Sequence, residues 1–469
     1  MHKFIAFLLF LFFITPLFSD EYHNVNGFFG ERATGMGGAF SAISDDVSGA
    51  FYNPAGLSFV TNTNYTINAS TYQSKRLDNQ NFFGPGQNYT QTSKNYQPNF
   101  IGFVKKSDYF TYGFTIATRV NETFDQSDRA NNPLYLKRSS QVDISIVRDN
   151  LNLLAGPSAS LLLSNKLSIG VTSYLDYTSS RSISSVTENT YTNSVSTNFS
   201  HESKKTYGLT PILGIQYMPI SKISLGGSIR RNFIFNGEVD SKINSTSTGR
   251  TASSIYQGSN KFASEIRPDD IVIKSPLTYK LPEVYELRGG LAYFINSHLM
   301  IAGDLIYTSG FKMFKADQEY SVKNRKLFIT DPLENEFTRE HTLNYALGFE
   351  LYITDNIIIR MGTLSNKSNA KKIKWVDEAS LSYLRNLNGG NFQIPLGANA
   401  SYSLGEKRTQ YINLMGYSIG VGYESHTNSF SVSLVYQSGQ GISVLDRFQL
   451  PTTTVYTDLS IYLTGSSRY

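Results

Sequence analysis

Leu343-Asn344-Tyr345-Ala346-Leu347-Gly348-Phe349-Glu350-Leu351-Tyr352-Ile353-Thr354-Asp355-Asn356-Ile357 carries the fold in miniature. Leu343, Tyr345, Leu347, Phe349, Leu351 and Ile353 alternate with Asn344, Ala346, Gly348 and Glu350. Side chains of a strand point alternately to its two faces, so this run is a strand with one apolar and one small or polar face. Thr354-Asp355-Asn356 then makes a short polar turn into the next strand.

The same unit recurs. Short turns lie at Leu163-Ser164-Asn165-Lys166-Leu167, Ile220-Ser221-Lys222-Ile223 and Ile295-Asn296-Ser297-His298-Leu299, with looser versions at Lys106-Ser107-Asp108 and His426-Thr427-Asn428. Around the last, Tyr417, Ile419, Val421 and Tyr423, then Phe430, Val432, Leu434 and Tyr436, keep the alternation. Between the turns lie polar stretches rich in Ser, Thr, Asn and Lys, near 74–98, 120–150, 179–206, 238–284, 309–340, 365–410 and 438–454. Short turns at one end and long loops at the other are the pattern of a transmembrane barrel, not of a soluble sandwich. Six turns and seven loops predict about 14 antiparallel strands over 64–469, an even number with both chain ends on the periplasmic side. Gln141 to Val147 reads as further strand or as loop structure above the membrane.

Composition agrees. The chain has 31 Tyr, 31 Phe and 36 Gly, only 17% charged residues and a mean hydropathy of -0.25. Tyr suits the membrane–water boundary. With no Cys, neither disulfides nor thiolate metal sites are available. The net charge of +5 is spread out and does not suggest nucleic acid. Phe4 to Leu17 is almost wholly apolar, and Pro16 and Ser19 prepare a small-residue cleavage site before Asp20, a secretory signal pattern expected over 1–19. An outer-membrane location follows, with outer-membrane lipid as the surrounding partner and a monomer as the expected state.

Residues 20–63 differ from the rest and are expected to form a plug inside the barrel. They contain Gly30-Glu31-Arg32-Ala33-Thr34-Gly35-Met36-Gly37-Gly38-Ala39, Asp45-Asp46 and Asn53-Pro54-Ala55-Gly56. The glycines lack the Gly-Lys-Ser/Thr ending of a phosphate loop. On these residues the chain resembles the FadL/TodX family of outer-membrane long-chain fatty-acid and hydrocarbon transporters. The resemblance implies a 14-stranded barrel with an N-terminal hatch, and uptake of hydrophobic small molecules by hatch-gated passage through the barrel wall. It places Asn53, Pro54 and Ala55 in the hatch signature; the alternative for them is a turn that anchors the plug. A wall opening in this family goes with a kink in an early strand. The third strand, Phe110 to Arg119, has Gly113 and no Pro, while Pro157 and Pro211 interrupt later strands. Either could mark a gap or a bulge.

Alternation puts Arg230, Glu286, Arg288, Asp304, Glu350 and Arg360 on the lumen face. The arginines could receive a ligand carboxylate, or the six could form a salt-bridge network with Arg32, Asp45 and Asp46 that holds the plug. No Gly-x-Ser-x-Gly elbow and no metal-like His spacing is present, so neither enzyme nor cofactor nor metal is expected. The competing reading is a plugged barrel that acts in docking or adhesion; an apolar capture groove in the loops would favour transport, and Phe82, Phe83, Phe311 and Phe314 offer some apolar loop surface. A general porin is disfavoured because the plug would block it.

Overall fold

The computed structural model describes residues 22–61, 63–107, 110–134, 139–191, 195–248, 271–273, 284–314, 318–322, 325–329, 336–371, 409–444 and 452–469. The expected signal segment lies outside them. Fourteen antiparallel strands close into a barrel, with the last, Thr452–Arg468, paired to the first, Asn64–Gly84. The ladder of Leu343's strand runs Leu299↔Leu351 to Thr308↔Thr342 on one side and Ala346↔Leu364 to Tyr352↔Ile358 on the other.

The two faces follow the alternation. Leu347 (51% exposed), Ile419 (45%) and Phe430 (51%) point outward, while Asn344, Glu350, Ser418 and Ser431 are buried. An outward apolar belt of this kind faces lipid, because a closed barrel leaves no strand edge unpaired there. No described helix is long and apolar enough to cross a membrane.

Strand lengths depart from the expectation. Tyr285–Phe294, Leu299–Thr308, Thr342–Tyr352 and Ile357–Asn366 have 10 or 11 residues, the length that crosses a bilayer. The first six strands are 20 to 26 residues long. Stretches 74–98, 120–150 and 179–206 are thus mostly hairpin and not loop, and Gln141 to Val147 is strand. Above the membrane a strand keeps its ladder hydrogen bonds without needing an apolar face, so alternation fades while the strand continues. Phe82 and Phe83 are buried there against Tyr89, Phe124, Ile144 and Ile146, so they are not open apolar surface.

Tyr469 lies at the short-turn end, where it exchanges backbone hydrogen bonds with Thr63. Tyr22 lies at the other end: its carbonyl accepts from Asn369 N (2.8 Å), beyond the outer end of the eleventh strand, Ile357–Asn366. Tyr22 and Tyr469 therefore lie at opposite ends of the barrel. The intervening N-terminal segment crosses the lumen and has to make its polar contacts with the inner wall on the way.

Candidate functional site

Residues 22–60 fold as three short helical turns, Glu31–Gly35, Gly49–Tyr52 and Pro54–Phe59, packed on the inward faces of the strands. Asn53 starts the last turn. Its Oδ1 accepts from Ala55 N (3.2 Å), a helix cap with Pro54 at the first helical position. Its Nδ2 donates to Ser41 O (2.7 Å) and to Ile215 O of the sixth strand, Val195–Ile220 (3.0 Å). Only an amide both caps and donates in this way. Pro54 and Ala55 press on the wall where it lacks side chains: a Cβ on Gly170 would stand 2.3 Å from Pro54 C, and one on Gly214 2.1 Å from Asn53 Oδ1. Ser168 Oγ also donates to Ala55 O (2.9 Å).

Arg230, Glu286, Arg288, Asp304, Glu350 and Arg360 are all buried, and they gather into two clusters and one lone acid. In the first cluster, Arg360 Nε donates to Glu350 Oε2 (2.6 Å) and its Nη1 to Glu31 Oε1 (2.9 Å). Arg32 grips Glu350 with two bonds of 3.1 and 3.0 Å and Asp45 with one of 2.5 Å. In the second, Arg230 and Arg288 share Glu286 Oε1 (3.2 and 2.5 Å), and Arg230 Nη2 donates to Phe51 O (2.9 Å) with its Cζ 4.1 Å over the Phe51 ring. Asp304 stands apart, its Oδ2 accepting from Phe40 N, Ser41 N and Ser41 Oγ (3.1, 2.9 and 2.6 Å). Every one of these groups holds the N-terminal segment, directly or through a shared carboxylate. Asp46, next to Asp45 in sequence, accepts from Ser48 instead of Arg32 (2.7 and 2.6 Å); loss of water pushes its carboxyl up to about 6, with those bonds opposing and Asp45 adding to the rise.

The wall is not uniform. Between the second strand, Gln87–Lys106, and the third, Thr111–Asn131, the ladder runs from Lys106↔Thr111 only to Phe100↔Ala117. Above it no ladder pair joins them among the described residues. Side chains bridge the seam instead: Ser93 Oγ to Thr123 O (2.6 Å), Gln126 Nε2 to Thr90 O (2.6 Å), Thr92 N to Gln126 Oε1 (3.2 Å), and Asn95 Nδ2 to Asn121 O. Bulges flank the parting: Asn99 is skipped in the register with the first strand, and Arg119 in that with the fourth, Ser139–Ser164. The paired stretch of seven residues rises about 20 Å along the strand, so the seam begins inside the apolar belt.

Pro157 and Pro211 do not open the wall. The ladder skips Gly156 and Pro157 and resumes at Ser158↔Thr172 in the same register, and it resumes past Pro211 at Leu209↔Phe233. The proline that matters is Pro98, next to the Asn99 bulge. Sequence reasoning missed it because 74–98 read as loop; a mid-strand Pro was the available signal. The N-terminal segment lies against the seam: Asn99 Nδ2 donates to Phe28 O (2.9 Å), and a Cβ on Gly27 would meet Arg119 O at 3.0 Å.

Whole-chain comparison finds the same architecture in solved structures. The Pseudomonas putida toluene transporter TodX is 11% identical over 95% of this chain and 99% of its own, with a TM-score of 0.58. A Pseudomonas aeruginosa FadL homologue is 13% identical over 97% and 100%, at 0.55. This chain has the FadL/TodX fold. The Ralstonia pickettii toluene transporter TbuX, 11% identical over 95% and 99% at 0.56, has it too. No protein-family profile and no curated protein sequence matches the chain.

Proposed function

We propose that this chain is an outer-membrane transporter for the uptake of hydrophobic small molecules, and that the N-terminal segment is its hatch. The observation that carries the reading is the seam between the second and third strands, with Phe28 bonded against it. An apolar molecule leaving through the wall enters lipid directly. Leaving through water would cost about 25 cal/mol for each Å² of apolar surface exposed. The hatch fills the lumen, so passage requires it to shift, and the arginines are latches of the hatch in this reading rather than receivers of a ligand carboxylate. Solved neighbours with this fold are named as toluene transporters and a monoaromatic hydrocarbon channel, which supports the same class of cargo here. Docking or adhesion would need no seam and no latched plug.

The test is lipid extraction and native mass analysis of the detergent-purified protein beside Asn53→Ala. Co-purified apolar ligand, retained differently by the variant, supports transport with a working hatch. A barrel without ligand that co-isolates with a secreted protein moves the reading to docking.

A further inference from the structure

The seam is framed at both ends. At its foot the ladder holds as far as Phe100↔Ala117. At its head Phe82, Phe83 and Tyr89 of the first hairpin pack on Phe124, Ile144 and Ile146. Between these ends side chains join the strands in rungs: Asn95 to Asn121, then Ser93 to Thr123, then Gln126 to Thr90. Such rungs part by a change of rotamer, whereas a ladder parts only with its backbone. One rung is of another kind. Lys75 Nζ stands 3.8 Å from Glu122 Oε1. Lys75 belongs to the first strand, where it is paired with Ser93, and Glu122 belongs to the third. The ion pair therefore spans the second strand and ties its two neighbours together, at the level of Ser93 and Thr123. Lys75 also lines a cavity of about 40 Å³ between hatch and wall, with Asn99, Arg119 and Asn121. A molecule moving from that cavity into the seam meets this pair.

We propose that Lys75 and Glu122 set the size of the cargo that passes the seam. The inference rests on the transport reading and adds a selectivity to it. Every cargo has to part the lowest rung, Asn95 to Asn121. A slim molecule needs no more. A broad one has to widen the seam to the next level and separate the ion pair. Neither charge is stranded when the pair parts: Lys75 also attracts Asp458 of the last strand, and the Glu122 side chain is 23% exposed and keeps water. The apolar packing of Phe82, Phe83 and Tyr89 then stops the widening at the head of the seam.

The test compares uptake of radiolabelled naphthalene and the broader pyrene by cells with an outer membrane that produce the full chain, each corrected for cells without it. Wild type takes up naphthalene faster. Glu122→Gln and Lys75→Met each raise pyrene uptake roughly three- to tenfold, the value of one net bond, and leave naphthalene uptake unchanged. Unchanged naphthalene uptake also shows that the variant barrel is assembled. Asn95→Ala raises both rates, and Gln126→Ala, at the highest rung, raises neither. A loosened hatch would raise both rates together, so equal gains for the two probes in Glu122→Gln and Lys75→Met overturn the inference. An unchanged pyrene rate in both variants overturns it as well and leaves transport standing. Pyrene uptake by wild type as fast as that of naphthalene does the same, and that arm needs no variant to fold. Uptake of neither probe above background overturns transport and the inference together.

Discussion

Arg32 of the N-terminal segment and Glu350 of the wall are joined by two parallel hydrogen bonds, Nε to Oε2 at 3.1 Å and Nη2 to Oε1 at 3.0 Å. Glu350 is 2% exposed, and Arg360 bonds the same carboxylate from the neighbouring strand. Removing one partner of a buried pair leaves an uncompensated charge and costs about 3–5 kcal/mol; with Arg360 still in place, Arg32→Met is expected near the lower end. Amide hydrogen exchange across 29–53 is the check. Protection falls there while the strands keep theirs, and Arg32→Met with Glu350→Gln recovers part of the loss.

Asn53→Ala removes a cap and two further hydrogen bonds from a fully buried position. At about 1 kcal/mol net for each of these three bonds, the last hatch turn loses roughly 3 kcal/mol of anchoring. Asn53→Asp keeps the cap but turns a carboxylate onto the carbonyls of Ser41 and Ile215 at a fully buried position, so it loosens the turn at least as much as alanine. Limited proteolysis within residues 40–60 of the reconstituted barrel ranks the three.

Gly170→Ala and Gly214→Ala add one methyl each where Pro54 and Asn53 touch the wall at 2.3 and 2.1 Å from the new atom. Backbone and a bonded amide cannot give way cheaply, and overpacking of this kind costs about 1–3 kcal/mol. Displacement of the hatch is expected to raise single-channel ion conductance in planar bilayers. Gly289→Ala, whose Cβ would meet nothing within 4 Å, leaves it unchanged.

Acid is expected to tighten the hatch. Asp46 has its carboxyl raised from 3.8 to about 6, chiefly because docking removes it from water. A raised acid favours the docked state when protonated, so the charging penalty is complete above about 6, falls as pH drops through 6 and is gone below 3.8. Hydrogen-exchange protection of 45–53, corrected for intrinsic rates, should rise between pH 7.5 and pH 5 in wild type and stay flat in Asp46→Asn.

The strand count and the inward charges were legible because a bilayer imposes strict alternation over about ten residues, as in Leu343 to Ile353. The Asn53-Pro54 turn was legible because capping is local chemistry. The tall hairpins were not, since Thr, Ser and Asn pair in a ladder above the membrane without alternating. The seam was hidden for that same reason: Pro98 and Asn99 fall in a stretch that carries no apolar rhythm, and a missing ladder is a property of two strands together. The N-terminal partners of Arg230 and Arg360 were equally out of reach, because Phe51 and Glu31 meet them across 179 and 329 residues of chain.

The central claim is that cargo leaves through the seam between the second and third strands. Since the chain has no cysteine of its own, Asn95→Cys with Asn121→Cys places one disulfide across that seam, between residues already hydrogen-bonded. Uptake of radiolabelled 1-naphthol should stop in the oxidised protein and return on reduction, while a Ser158→Cys, Thr172→Cys pair in the intact ladder (Oγ to Oγ 2.8 Å) has no effect. Undiminished uptake by the oxidised seam variant would contradict a lateral exit there.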